Sequence, residues 1–116
     1  MSEIKFAYAA RGYDYAGAIE RVAGDEELLR SLLDMFISDA NYEHLMSALD
    51  ALDAQEGFRA AHSLKGSSGM LGFTGLFEAM KSITEPLRRG DAAEAAQYRV
   101  NVEREYASAV AMINSL

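Results

Sequence analysis

The sequence predicts an all-α chain folded as an up-down antiparallel four-helix bundle with a short additional N-terminal helix. Three observations carry this. Apolar residues recur at three- and four-residue steps over long stretches, which places them on one face of a helix. Capping residues stand where those stretches begin. The chain has one proline and no Pro/Gly/Ser-rich linker, so connections are short, and short connections make neighbouring helices antiparallel.

Residues 1–13 contain the weakly alternating IKFAYAA and read as an N-terminal arm packed on the domain. Asp14 can cap a short helix over Tyr15–Ala23, which Gly24 ends in the left-handed conformation glycine favours. Asp25 then caps a second helix, with Glu26 and Glu27 where the helix dipole favours negative charge. Its stripe runs Leu29, Leu32, Phe36, Ala40, then Leu45, Leu49 and Leu52, so it spans about Glu26 to Ala51 with a bend near Asn41.

Asp53 and Glu56 form a capping box, so a third helix starts near Ala54. Its buried stripe is Gly57, Ala61, Leu64, Ser68 and Leu71. Gly72 ends it, and Thr74 can cap a fourth helix from about Gly75 to Arg89. Pro86 inside that helix removes the donor to the Ser82 carbonyl and should bend or loosen its end, while Arg88 and Arg89 suit the dipole there. Gly90 terminates it. Asp91 and Glu94 repeat the capping box, and the last helix buries Tyr98, Val102, Tyr106, Ala109 and Ile113.

Bulk properties narrow the function. The 116 residues make a single domain, half of them hydrophobic. No stretch approaches the ~18–20 apolar residues of a membrane span, and MSEIKFAYAA does not read as a signal peptide. With no cysteine and two histidines, neither a disulfide framework nor a metal site is expected. A net charge of −7 disfavours nucleic acid. A cytoplasmic monomer is the expectation.

One segment does not fit a plain bundle: AHSLKGSSGMLG, residues 61–72. His62 stands one position past the buried stripe, so it belongs on or beside the exposed face. Lys65, Gly66 and Gly69 follow at i+3, i+4 and i+7 on that face. Each glycine costs a helix about 1 kcal/mol relative to alanine, and close approach of another surface is the usual reason to bear it. A neutral imidazole is a nucleophile near neutral pH. Lys65 beside it would disfavour a second positive charge and could pair with a phosphoryl group placed on the ring. His44, in NYEHLM, has no such company and reads as an ordinary helix histidine. Met35, Met46, Met70, Met80 and Met112 read as core filler, with Met70 a candidate for a docking patch near His62.

The segment resembles the signature of histidine-containing phosphotransfer (HPt) domains, H-x-L-K-G-S-[SA]: His62, Leu64, Lys65, Gly66, Ser67 and Ser68 match it position by position. IERVAGDEELLRSLLDMF and LRRGDAAEAAQYRVNVEREY are similar to that family's leading and closing helices. The resemblance implies a four-helix bundle and a phosphorelay intermediate without an ATP site of its own. His62 would be the phosphoacceptor, Lys65 would steady the phosphoryl charge, and Gly66, Gly69 and Met70 would meet the partner. The partners implied are response-regulator receiver domains and histidine kinases, including hybrid kinases. No cofactor belongs to the chain itself, and Mg²⁺ would come with the receiver. Many members hold the histidine with a glutamine on the next helix. Here the positions opposite are Lys81, Ser82, Thr84 and Glu85, of which Thr84 or Glu85 could hold the ring. The competing reading is an adaptor that docks a receiver or kinase without carrying phosphate. No Gly-rich phosphate loop supports a kinase.

Overall fold

Ser2 opens the first helix by accepting a hydrogen bond from the Lys5 amide at 2.9 Å. That helix, α1 (Glu3–Ala10), buries Ile4 and Tyr8, which stand four residues apart, and leaves Phe6 67% exposed between them. The segment expected as an arm is therefore helical: its alternation was a sampling of the three-to-four-residue step. The computed structural model describes residues 2–116, and among them there is no strand.

After α1 come α2 (Tyr15–Arg21), α3 (Glu26–Ser38), α4 (Asn41–Asp50), α5 (Ala54–Met70), α6 (Thr74–Arg88), the one-turn α7 (Ala92–Ala95), a 3₁₀ turn at Ala96–Tyr98, and α8 (Arg99–Asn114). The side chains of Asp14, Asp25, Asp53 and Asp91 each accept from the amide three residues on, capping α2, α3, α5 and α7, but the expected capping boxes close only by half, because the Glu56 carboxylate pairs with Arg59 and that of Glu94 with Arg89.

Four expectations are corrected. The single helix expected over 26–51 is two, because Asp39 turns extended and its carboxylate accepts from the Asn41 amide at 2.7 Å, which restarts the chain as α4. Thr74 does not cap α6. It is the first helical residue, Phe73 takes the cap position, and the Thr74 hydroxyl donates to the Gly12 carbonyl at 3.5 Å. The last helix is preceded by α7 and the 3₁₀ turn, which puts Tyr98 at the surface, 36% exposed. Met80 and Met112 are core residues, but Met35, read as core filler, is exposed. Pro86 is buried within α6, and the helix continues past it to Arg88 before Gly90 ends it at φ +80°.

Helix directions follow from side-chain neighbours. Asn41 at the start of α4 donates to Ser63 late in α5, while a methyl group on Gly57 would lie 3.6 Å from Ala48 at the other end of α4. The same methyl would lie 3.0 Å from Leu87, and one on Gly69 would lie 3.0 Å from Phe77, so α5 and α6 are also antiparallel. Tyr106 of α8 stacks on Tyr42 at 3.7 Å, and Arg99 pairs with Asp50 at 2.5 Å, which sets α8 antiparallel to α4. The long helices enclose Leu29, Leu33, Leu45, Leu64, Leu76, Met80, Ile83 and Val102, all fully buried, and this burial supplies most of the drive to fold.

The N-terminal helices are fastened to the end of α5. Tyr8 donates its hydroxyl to the Leu71 carbonyl at 2.8 Å, the Asp14 amide donates to the Gly72 carbonyl at 2.9 Å, and Arg21 donates to the Met70 carbonyl at 3.0 Å. The bonds to Met70 and Leu71 satisfy carbonyls that the end of α5 leaves without partners. Gly72 sits at φ +75°, and a β-carbon there would come within 2.3 Å of the Asp14 carbonyl oxygen. Only glycine lets the two segments approach so closely.

Candidate functional site

The expected stripe of α5 is buried: Gly57, Ala61, Leu64 and Ser68 within the helix, and Leu71 just past it. Burying that face fixes the rotation of α5 and turns His62 outward. His62 is exposed, Lys65 half-buried and Gly66 exposed, along one side of the helix. Ser67 and Ser68 turn inward along the helix, their hydroxyls donating to Ser63 and Leu64 carbonyls and to the Lys65 carbonyl. They therefore leave the histidine face to His62 and Lys65.

His62 lines two hollows. One, of about 520 Å³, runs toward the end of α5 and is bordered by Lys65, Gly69, Met70, Phe77 and Glu78, with Asp14 and Arg21 of the N-terminal segment at its far side. The other, of about 500 Å³, lies toward the start of α5 beside Asp53, Glu56, Phe58 and Arg59. Among the described residues Lys65 makes no salt bridge, so its charge is not spent on a carboxylate of this chain. Arg59 is committed: it pairs with Glu56 at 2.6 Å and meets His44 Nδ1 at 3.2 Å. That bond holds the Glu56 carboxyl below its ordinary range and the Arg59 guanidinium above its own.

The two glycines of this face differ. Among the described residues, nothing beyond its chain neighbours and its own helix backbone lies within 4 Å of where a Gly66 β-carbon would be, whereas the Phe77 ring lies 3.0 Å from that point at Gly69. Gly66 keeps the surface low, while Gly69 admits a ring from α6. Met70 is exposed at the rim of the hollow.

Neither residue expected to hold the imidazole does so. Thr84 is fully buried, and its hydroxyl donates to the Met80 carbonyl at 2.6 Å within α6. Glu85 is exposed and pairs with Arg88 at 3.6 Å. The ring's neighbour is Phe58, one turn earlier on α5, with centroids 5.7 Å apart and planes 23° from parallel. The guanidinium of Arg88 lies 5.4 Å from the Phe58 centroid. Phe58 is not singled out by the sequence reading, and Phe77 is read there only as an apolar position of the fourth helix. The i, i+4 relation to His62 was the available signal for Phe58.

Among the described residues no group of three or more His, Cys, Asp or Glu side chains is placed to hold a metal ion. No helix among them is long and apolar enough to cross a membrane. The arrangement offers an exposed nucleophilic imidazole, an unspent cation one turn away and an unobstructed approach.

No curated protein and no solved structure matches the chain significantly. The model of the Hpt domain family matches residues 27–112, from the first turn of α3 to near the end of α8. Hpt domains are phosphocarrier modules of two-component signalling that act with receiver domains and histidine kinases, rather than ATP-binding kinases. With most of its length matched and the histidine signature exposed on α5, the chain belongs to the Hpt domain family.

Proposed function

We propose that this chain is a phosphorelay intermediate in which His62 accepts a phosphoryl group from a receiver aspartate or a histidine kinase and passes it to a receiver aspartate. The observation that carries this reading is the exposed His62 with an unspent Lys65 one turn on and open space over Gly66. In the step from an aspartyl phosphate, an imidazole nitrogen of His62 attacks phosphorus. An N–P bond forms as the P–O bond to the aspartate breaks, and the carboxylate leaves with that electron pair. The other ring nitrogen carries the proton, which the cationic product ring releases to water. The reverse sequence returns the group to a receiver.

Phosphoryl transfer depends mainly on positioning and on stabilising charge. The partner supplies Mg²⁺ and the acidic site that holds it; this chain supplies the nucleophile and Lys65, which faces a phosphoryl group of about −1.5 to −2 charge. Gly66 lets the partner's surface approach, and Met70 with the Phe77 side of the groove meets it.

The test is transfer from a labelled phosphorylated receiver with Mg²⁺ present. Label should leave the receiver and appear on the wild-type chain, while His62→Gln should fold normally and take none. A chain that binds the receiver but is never labelled would be an adaptor instead.

A further inference from the structure

Among the described residues the His62 imidazole has no hydrogen bond, yet its ring does not stand alone. Side chains on a helix lean toward its N-terminus, so a ring at one position covers the turn before it. His62 accordingly lies on Phe58, 5.7 Å between centroids and 23° from parallel. Phe58 is partly buried against the core, which fixes its own ring. The same ring carries the Arg88 guanidinium, 5.4 Å from its centroid, brought across from α6. Glu85, one turn back on α6, holds Arg88 at 3.6 Å. Glu85, one of the two residues that could have held the imidazole directly, stands instead beside Arg88, whose guanidinium lies against Phe58.

We propose that Phe58, held by Arg88, is the positioning residue for the phosphoacceptor imidazole; this rests on the phosphorelay reading of His62. An exposed histidine is otherwise spread over several staggered rotamers, and transfer proceeds only from the one that meets the phosphorus in line. An aromatic pair favours its own arrangement by about two- to tenfold over unstacked alternatives. The stack works for either charge state of the ring, since an imidazolium is also attracted to an aromatic face. Among the described residues it also leaves both ring nitrogens without hydrogen-bond partners, so neither is blocked from the incoming group.

The experiment compares the full chain with Phe58→Leu, Phe58→Tyr and Arg88→Met. Leucine keeps an apolar contact but no ring face; methionine keeps an extended side chain but no charge. The first readout is the NMR shift of the His62 ring protons in the unphosphorylated protein. The second is single-turnover acceptance from a phosphorylated receiver, read as the transfer rate at saturation (kcat) and the receiver concentration that gives half of it (KM). Phe58→Leu should move the ring-proton shifts toward those of an exposed histidine and lower kcat about three- to tenfold with KM unchanged. Phe58→Tyr should restore both, and Arg88→Met should move both part of the way. The proposal is overturned if Phe58→Leu leaves the ring shifts or kcat unchanged, or if the loss lies wholly in KM, which would make Phe58 a docking contact. Failure of the relay reading is seen separately: the wild-type chain would take no phosphoryl group, while the ring-proton shifts need neither partner nor phosphate.

Discussion

A β-carbon on Gly69 would stand 3.0 Å from the Phe77 ring, whereas one on Gly66 would meet nothing among the described residues within 4 Å beyond its chain neighbours and its own helix backbone. Two glycines that look equivalent in the sequence thus answer to different neighbours. Gly66→Ala should raise stability by about 0.5–1 kcal/mol, because alanine is the better helix former and has room. It should also slow phosphoryl acceptance, because the added methyl lies in the partner's path. Gly69→Ala should show none of that gain, since Phe77 must move. Denaturant midpoints and transfer rates for both variants check this. A Gly66→Ala chain that is stabilised and transfers at the wild-type rate would show that Gly66 does not serve access.

Among the described residues Lys65 makes no salt bridge, so its charge is free to meet a partner's group. Lys65→Met should leave stability near the wild-type value, because no salt bridge is lost. It should slow acceptance about tenfold or more, the worth of a charge-assisted hydrogen bond, and Lys65→Arg should recover part of the loss. Rates measured with one phosphorylated receiver at fixed salt give the comparison.

Tyr8 predicts an alkaline weakness. Burial pushes its phenol above the usual tyrosine range, with Tyr13 and Tyr15 adding to the shift. A group whose folded pKa is raised gives stability that is complete below its unfolded value of about 10 and is lost as pH rises beyond it, since the unfolded chain ionises first. Tyr8→Phe should cost about 1 kcal/mol at neutral pH, for the bond to Leu71, and should flatten the decline above about pH 10. Part of that decline will remain, because burial also raises Tyr42 and Tyr106. Denaturation midpoints followed from neutral to alkaline pH give both numbers.

Leu52 occupies a glycine's place. It is 63% exposed at φ +53°, just past α4, where the Asp53 amide closes back to the Ala48 carbonyl at 2.8 Å. A side chain in that left-handed conformation costs about 1–2 kcal/mol. Leu52→Gly should therefore stabilise by about 1 kcal/mol and Leu52→Ala should not, as thermal melts would show.

Most of the bundle was legible because its signals are local. The aspartates that cap α3, α5 and α7 are read from one residue and its position, and the α5 stripe from a fixed step. Where the sequence reading failed, either a long-range contact decided or a local one that leaves no periodic signal. The helix at Glu3–Ala10 is held by Tyr8 reaching Leu71, which no local pattern announces. The break between α3 and α4 turns on one carboxylate binding its own backbone at Asn41. Thr74 had the chemistry of a cap, but Gly12 is its neighbour in space. The site divided in the same way. His62, Lys65 and Gly66 share one helix face and were found together. The imidazole's neighbour was sought on the next helix and lies on its own, at Phe58.

The most direct test of the account is ³¹P NMR of the chain after incubation with an excess of phosphorylated receiver and Mg²⁺, followed by acid and then base treatment of separate samples. A phosphoramidate signal that is lost in acid, survives base and is absent from a folded His62→Gln chain is the predicted result. No such signal with any receiver or kinase offered, or an unchanged signal in His62→Gln, would contradict it.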